Sequence, residues 1–252
     1  MKLKKHLLGV ALSLIGTGLC TSALARNDHT STWSYSDHSG PEHWSNLNSD
    51  YKLCSTGKAQ SPIDISNAVK ASLAPLTFTY RASPVTVLNN GHTIQVSPTD
   101  AGGITLPSGD FSLVQLHFHT PSEEKIQGRA YPLDAHFVHR NAAGELAVVA
   151  LLFEEGAFNP ALEPILAAMP KEAGGMTKLE MQDIADLLPT TRHYYSYMGS
   201  LTTPPCSEGV RWHVLTQPVQ LSHAQLQAFQ ALYPMNARPV QPLNDRTVNV
   251  GG

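Results

Sequence analysis

The sequence predicts a mainly β fold: a single α+β domain with a large, mostly antiparallel, twisted central sheet and short peripheral helices. Beyond Pro62, apolar and polar residues alternate in short segments, which is the period of a strand with one buried face. Glycine and proline, 18 of each, separate these segments, and Asn90-Gly91 is a hairpin signal. No linker, charge run or internal repeat divides the chain, so one domain is expected.

The first 25 residues are predicted to be a cleaved secretory signal peptide. They combine the basic start MKLKKH, the apolar run LLGVALSLIGTGLC and a small-x-small cleavage site at Ala23-Leu24-Ala25. The apolar run, of about 14 residues, is too short to span a bilayer, and bulky Leu19 disfavours a lipid anchor at Cys20. The mature domain is therefore expected to span residues 26–252 and to be exported, to the periplasm if the source is Gram-negative and otherwise outside the cell.

Charge excludes one class of partner. Cleavage would remove three lysines and no acid, which moves the formal charge from −3 to −6, with 14 basic against 20 acidic residues. Nothing basic is left in patches, so nucleic acid is not expected as a partner. No other stretch is long and apolar enough to predict a membrane span.

Cleavage would also leave only two cysteines, Cys54 and Cys206. In an exported protein such a pair predicts a disulfide, and two buried free thiols are the alternative. The bridge would close a ring of roughly 150 residues and contribute on the order of 5 kcal/mol in the loop-entropy model. No third cysteine remains for a zinc–thiolate site.

The expected elements follow in chain order. One helix is expected from Asn159, with Pro160 in its first turn, to before Pro170. A second is expected over SHAQLQAFQALY, where Ser222 and Gln225 have the spacing of a capping box. The expected strands are LTFTY (76–80), VTVLNNGHTIQVS (85–97, a hairpin), FSLVQLHFH (111–119), LDAHFVH (133–139), LAVVALLF (146–153), YYSYMGS (194–200) and VRWHVL (210–215).

Two of these strands carry two histidines each. In QLHFHT, residues two apart share a face, so Gln115, His117 and His119 lie opposite the apolar residues. In LDAHFVH, Asp134 and His136 likewise share a face. If the strands are antiparallel neighbours, three imidazoles converge.

Three nitrogen ligands with a fourth position open is the arrangement of catalytic zinc, and Gln115 and Asp134 are suited to accept hydrogen bonds from the rings. Ordinary strand histidines, or copper or another imidazole-binding ion, are the alternatives. The chain has no His-Glu-x-x-His, Gly-x-Ser-x-Gly or phosphate-loop motif.

Further motifs lie on both sides of the histidines: WSYSDHSGPEHW (33–44), QSPIDI (60–65), LNNGH (88–92), QLHFHTPSEE (115–124), YSYMGSLTTPPC (195–206) and NARPVQPLNDR (236–246). In this order, and across nearly the whole mature chain, they resemble the α-class carbonic anhydrases of the bacterial, exported type. The resemblance implies a carbonate dehydratase, a zinc lyase in which zinc-bound hydroxide hydrates carbon dioxide reversibly to bicarbonate and a proton.

The resemblance also implies roles for individual residues. His117, His119 and His136 would bind Zn²⁺, Thr202 would accept a hydrogen bond from the hydroxide, and Glu123 would accept the Thr202 proton. The remaining implied roles are a proton shuttle at His92; water ordering at Tyr35, Asn90 and Gln95; support of the ligands by Gln115, Asp134 and Asn236; a substrate pocket of Val138, Val148, Leu201, Thr203 and Trp212; and a Cys54–Cys206 disulfide.

Three residues depart from the family pattern. Asp134 stands where glutamate is usual, so its hydrogen bond to His136 is expected to be longer or re-aimed. Glu124 stands where a histidine usually follows Glu123, and Thr120 replaces an aromatic residue of animal members.

The resemblance implies small-molecule substrates, and inhibition by sulfonamides and small anions. It leaves monomer and homodimer open. Two rival functions were weighed: a non-catalytic binding module on the same fold, and a zinc ester hydrolase.

Overall fold

Sixteen strands make up most of the regular structure in the computed structural model, which describes residues 33–252. The predicted signal peptide lies outside the described residues and stays a prediction. The strands are β1 (Asp64–Ile65), β2 (Val69–Lys70), β3 (Thr77–Phe78), β4 (Ser83–Asn89), β5 (Ile94–Pro98), β6 (Gly103–Leu106), β7 (Gly109–His119), β8 (Lys125–Ile126), β9 (Arg129–Ala130), β10 (Leu133–Arg140), β11 (Leu146–Glu155), β12 (Met176–Gln182), β13 (Tyr194–Ser200), β14 (Glu208–Leu215), β15 (Val219–Leu221) and β16 (Asn249–Gly251).

Helices are few and short within residues 33–252. They are α1 (Trp44–Leu47), α2 (Leu53–Thr56), α3 (Glu163–Ala167) and α4 (His223–Gln230), with 3₁₀ turns at Asp37–Ser39, Ser49–Tyr51 and Ile184–Leu187. None of the described helices is both long and apolar enough to cross a membrane.

One sheet dominates the described chain. It has 13 strands, ten of them in the order β12-β4-β5-β7-β10-β11-β14-β13-β16-β2, while β1, β8 and β9 form a small separate sheet. Most pairings are antiparallel; the parallel ones are β1 with β8, β11 with β14 and with β15, and β16 with β2. The prediction of a mainly β fold with a mostly antiparallel sheet is confirmed.

The two histidine-bearing strands are central neighbours in this sheet. Strands β7 and β10 run antiparallel, and their register sets His117 opposite His136 and His119 opposite Asp134. Strand β11 continues the sheet beside β10, with Val148 opposite Val138. The convergence expected from the sequence pattern therefore has its structural basis in this register.

Alternation divides the apolar side chains between two faces of the sheet. The larger cluster includes Leu116, Phe118 and Phe137, which lie opposite the histidines of their own strands. A smaller cluster, built around Val148 and Trp212, lies on the histidine side. The site is thus carried by strands that are packed on both faces, which holds their backbones rigid.

The helix predictions were partly right. Helix α4 begins after Ser222, whose hydroxyl accepts from the Gln225 N–H, and the full capping box is present. The predicted helix at Asn159 begins later, at Glu163. The Asn159 side chain accepts from the N–H groups of Ala161 and Leu162, which holds a turn ahead of α3.

The connections also follow the sequence. Strands β4 and β5 form the hairpin predicted at Asn90-Gly91, and Gly91 has a φ of +87°, which glycine adopts without strain. The predicted disulfide is present between Cys54 and Cys206, with an S–S distance of 2.09 Å. It ties α2 to the loop that follows β13.

Candidate metal centre and active site

Three histidine side chains meet on the inner face of β7 and β10. His117, His119 and His136 each offer a ring nitrogen, and the three nitrogens lie within 4.8 Å of one another. His119 and His136 are buried, while His117 is partly open to the cavity described below. Convergence of the three imidazoles, inferred from strand periodicity, is thus observed.

Both histidines of β7 have one ring nitrogen fixed by an acceptor. Nδ1 of His117 lies 2.8 Å from Oε1 of Gln115, and Nδ1 of His119 lies 2.8 Å from the backbone oxygen of Asn236. Both acceptors require a proton on Nδ1, so Nε2 of each ring carries a free lone pair. Gln115 and Asn236 therefore contact the rings as the resemblance implies.

The third ring is anchored in a way that the sequence did not predict. Nε2 of His136 lies 3.1 Å from Oε2 of Glu124 and 3.3 Å from Oδ2 of Asp134. The same Asp134 oxygen accepts the backbone N–H of Glu123 at 2.7 Å. Asp134 thus has two neighbours, and Glu124 is the nearer acceptor for His136. Nδ1 of His136 remains for the centre.

The donor set fits zinc. Burial, with the imidazoles of His119 and His136 adding to it, holds the pKa of His117 well below its ordinary value, so this ring is neutral and able to ligate. Nε2 of His119 is buried and has no hydrogen-bond partner within residues 33–252. Three imidazole nitrogens are a ligand set that zinc prefers, and these residues would hold it.

Glu123 lies beside the triad. Its Oε1 accepts the backbone N–H of Arg238 at 2.8 Å, and its Oε2 lies 3.6 Å from Nε2 of His119. Burial raises the pKa of Glu123, and the two imidazoles act against that rise. Thr202 is buried nearby in the chain's Ser-Leu-Thr-Thr segment, but in the described chain no hydrogen bond joins its hydroxyl to Glu123, whose Oε2 has no partner there.

A cavity of about 150 Å³ opens from the histidines toward solvent. Its walls include His117, His119 and His92. The other residues assigned to the proton path and pocket that line it are Tyr35, Asn90, Gln95 and Thr203.

His92 is half-buried at the cavity wall. Its ring stacks on Trp33, with ring centroids 3.7 Å apart and an angle of 8° between the planes. Burial lowers the pKa of His92. Trp33 opens the first of the motifs that carry the resemblance, but no role was predicted for it, because a stacking partner 59 residues away leaves no periodic signal in the chain.

The predicted apolar wall forms one patch. Val148 and Trp212 are buried in a common cluster, and Val138 and Leu201 pack against it. Trp212 meets the edge of the metal centre, since its ring centroid lies 4.9 Å from that of His136.

A family comparison decides the class. The model of the eukaryotic-type carbonic anhydrases matches residues 39–251. The chain belongs to the α-class carbonic anhydrases. It is therefore an enzyme of a zinc-dependent family, and the histidine triad is a group in its fold that could hold the metal.

Relatives agree with this membership. A carbonic anhydrase of Klebsiella pneumoniae is 48% identical over 222 residues, which cover 86% of this chain and 90% of the relative. A carbonic anhydrase of Pectobacterium carotovorum is 43% identical, and the match covers 97% of this chain and 99% of the relative. Among solved structures, the α-carbonic anhydrase of Thermovibrio ammonificans in complex with the inhibitor sulfanilamide has a TM-score of 0.85 at 47% identity, covering 87% of this chain and 99% of that one.

Proposed function

We propose that this α-carbonic anhydrase hydrates carbon dioxide reversibly to bicarbonate and a proton, with one zinc ion held by His117, His119 and His136. The observation that carries the proposal is the orientation of the rings: one nitrogen of each is fixed by an acceptor, and the other is free toward its two neighbours. Three protein ligands leave the fourth corner of a tetrahedral site for water, as in catalytic zinc sites.

When bound, zinc supplies a Lewis acid that lowers the pKa of a water molecule to about 7, a value that comes from carbonic anhydrase itself. The chain's contribution to selectivity is assigned to Thr202 and Glu123. A carboxylate only accepts, so a Thr202 hydroxyl that donates to Oε2 of Glu123 turns its lone pairs toward the reaction centre. There it accepts from a group that carries a proton and disfavours anions that carry none.

The apolar wall is assigned to substrate binding. Carbon dioxide has no hydrogen to donate and is a weak acceptor, so it gains most from a surface that excludes water. Val138, Val148, Leu201 and Trp212 offer such a surface beside His136. Thr203 lines the neighbouring polar cavity.

Each hydration releases a proton that has to leave the cavity. His92 is suited to carry it, because an imidazole titrates near neutral pH and this one is half-buried at the cavity wall. Tyr35, Asn90 and Gln95 line the same cavity and supply polar groups that order water between the histidine and the centre.

The disulfide supports the proposed export, because such bridges persist in oxidising compartments. Inhibition by sulfonamides is proposed by analogy with the relative bound to sulfanilamide. Ester hydrolysis is expected only as a side reaction at the same centre, and the complete histidine set disfavours a non-catalytic binding module.

Zinc analysis combined with rapid carbon dioxide hydration on the purified mature chain tests the function. One zinc per chain is expected, with activity that rises with pH through about 7 as the metal's water loses its proton. A zinc-loaded protein with a flat pH profile, or with faster turnover of an activated ester than of carbon dioxide, would contradict the proposal.

His92→Ala tests the proton path separately. The variant should keep its zinc and lose about a hundredfold of turnover in weak buffer, because it lacks a positioned proton carrier, and added imidazole should restore the rate. His223→Ala removes an exposed histidine that pairs with Glu155 and serves as the matched control. Equal rates for His92→Ala and the control would contradict the proton-shuttle role of His92 but not the proposed hydration reaction.

A further inference from the structure

Three carboxylates are buried around the third imidazole. Glu123, Glu124 and Asp134 are each at most 1% exposed. Burial of a carboxylate is costly unless partners hydrogen-bond to it, so each of these groups needs an explanation. The resemblance assigns a role to Glu123 but none to Glu124.

Geometry favours Glu124 over Asp134 as the acceptor from His136. Glu124 Oε2 lies 3.1 Å from Nε2 of the ring and satisfies hydrogen-bond geometry, whereas Asp134 Oδ2 lies 3.3 Å away. Asp134 Oδ2 already accepts the backbone N–H of Glu123 at 2.7 Å. Asp134 Oδ2 is thus shared between the backbone N–H of Glu123 and the imidazole, whereas Glu124 Oε2 faces the imidazole alone.

The other oxygen of Glu124 is held as well. Tyr197 donates its hydroxyl to Glu124 Oε1 at 3.4 Å and lies 3.3 Å from the hydroxyl of Ser61. Ser61 exchanges hydrogen bonds with Ser200, from which Leu201 and Thr202 follow directly. Glu124 therefore joins the third histidine to the backbone of the segment that carries Thr202.

We propose that Glu124 is a positioning residue for zinc binding: it accepts the Nε2–H of His136, fixes the ring with Nδ1 toward the metal, and does so in place of the short Asp134 side chain. The inference rests on the proposed zinc site. Acceptors of this kind raise ligand basicity and restrict ring rotation, so their loss weakens metal binding.

The same three groups could instead form a metal site of their own. Glu124, Asp134 and His136 each offer a ligand atom within 4.8 Å of the others. His136 Nε2, however, is at hydrogen-bond distance from Glu124, and a metal bound there would take the nitrogen that now donates. Zinc stoichiometry separates the two arrangements.

The test is the rate at which zinc leaves the wild type and variants into an excess of chelator, together with the zinc dissociation constant. Glu124→Leu removes the acceptor and should weaken binding by about 10–100-fold. Glu124→Gln should fall between Glu124→Leu and the wild type, because its amide oxygen accepts without charge. Asp134→Asn should have a smaller effect than Glu124→Leu.

Two further variants distinguish positioning from general stability. Asp134→Glu added to Glu124→Leu should recover most of the lost affinity, since a side chain one methylene longer reaches His136. Glu155→Gln alters an exposed carboxylate that bonds His223 at 3.0 Å and should leave zinc release unchanged. Urea unfolding of the zinc-free proteins is measured in parallel, because a purely structural role would lower that stability without changing zinc release.

Each outcome has a fixed meaning. If Glu124→Leu does not fold, Glu124→Gln carries the test, and zinc release equal to that of the wild type overturns the positioning role. A second zinc equivalent that is lost with Glu124 also overturns it, in favour of a metal site. A wild type that binds zinc and hydrates carbon dioxide while Glu124 variants release zinc normally refutes this inference alone. A wild type without zinc refutes the proposed function.

Discussion

Two groups of histidines lie on opposite faces of the large sheet, and within residues 33–252 only one of the two, the triad, forms a cluster that could hold a metal ion. In the triad, each ring has one nitrogen fixed and one free. His139, on the other face of β10, has Nε2 at 2.7 Å from the Tyr80 hydroxyl and Nδ1 at 3.3 Å from the Ala147 oxygen. His213, on β14, has no hydrogen-bond partner for either ring nitrogen within residues 33–252.

Burial alone does not distinguish the two groups. It lowers the pKa of His139 to about 3 and that of His213 to about 4, and it also holds the pKa of His117 well below its usual value. The difference lies in the use of the second nitrogen. A neutral imidazole is suited to bind a metal when one nitrogen is held by a hydrogen bond and the other lies close to ring nitrogens of neighbouring histidines.

The largest expected effect comes from removing a triad member. His117→Ala should bind no zinc and lose carbon dioxide hydration, because two imidazoles cannot close a three-ligand site. Zinc analysis after dialysis and stopped-flow assays measure this. If His117→Ala retained one tightly bound zinc, the metal would bind elsewhere, and the proposed difference between the triad and the other histidines would be wrong.

Removing a back-face histidine should affect stability instead. His139→Ala leaves a cavity and an unpaired Tyr80 hydroxyl, so we expect a loss of about 3 kcal/mol in the free energy of unfolding, with zinc retained. Urea unfolding and metal analysis on the same samples check both parts. Zinc loss from a well-folded His139→Ala would show that the two faces are coupled.

The free energy of unfolding should depend on pH because His139 is buried in its neutral form. Because burial lowers the folded pKa of His139 to about 3, the unfolded chain, with a pKa near 6.5, binds more protons between these values. Its contribution is full above about pH 6.5 and is lost as pH falls toward 3, by about 1.4 kcal/mol per pH unit. Unfolding of the zinc-free protein at several pH values should show a slope that includes this contribution beside those of His117 and His213, and His139→Gln should reduce the slope by the His139 amount.

The smallest effect is expected at His213. Since neither nitrogen has a protein partner in the described chain, His213→Leu gives up no hydrogen bond there and should change the free energy of unfolding by less than about 1 kcal/mol. The measurement is urea unfolding at neutral pH. A loss of stability comparable to that in His139→Ala would mean that the His213 imidazole makes a stabilising interaction other than a hydrogen bond to the described chain.

Most of the sheet could be predicted from the sequence, because buried strands alternate strongly. Strand β12 was missed: it lies at the sheet edge, and exposed Met176 and Met181 obscure its period. Of the two-residue strands, β3 lies within the predicted segment LTFTY, whereas β1, β2, β8 and β9 were missed because a segment that short has no measurable period. The start of α3 was predicted too early, since Pro160 marks a turn as readily as a first helical turn.

The site residues, like the strands, were predictable from the sequence only where they follow the alternation of a strand. His117, His119, His136 and Gln115 follow from alternation within a strand and from one pairing of strands. Glu124 lies outside any strand and reaches His136 from a loop, so no periodic pattern could predict its contact. The Thr202 and Glu123 roles came from resemblance alone and stay predictions.

The segment beyond α4 has a consequence for biosynthesis. It supplies the backbone oxygen that anchors His119 and the Arg238 N–H that holds Glu123, while the Arg238 guanidinium donates to the backbone oxygens of Cys54 and Ser61. During translation all three imidazoles emerge before these groups exist. A chain that ends after α4 would lack the acceptor that orients His119, so the C-terminal segment is needed to complete the ligand set.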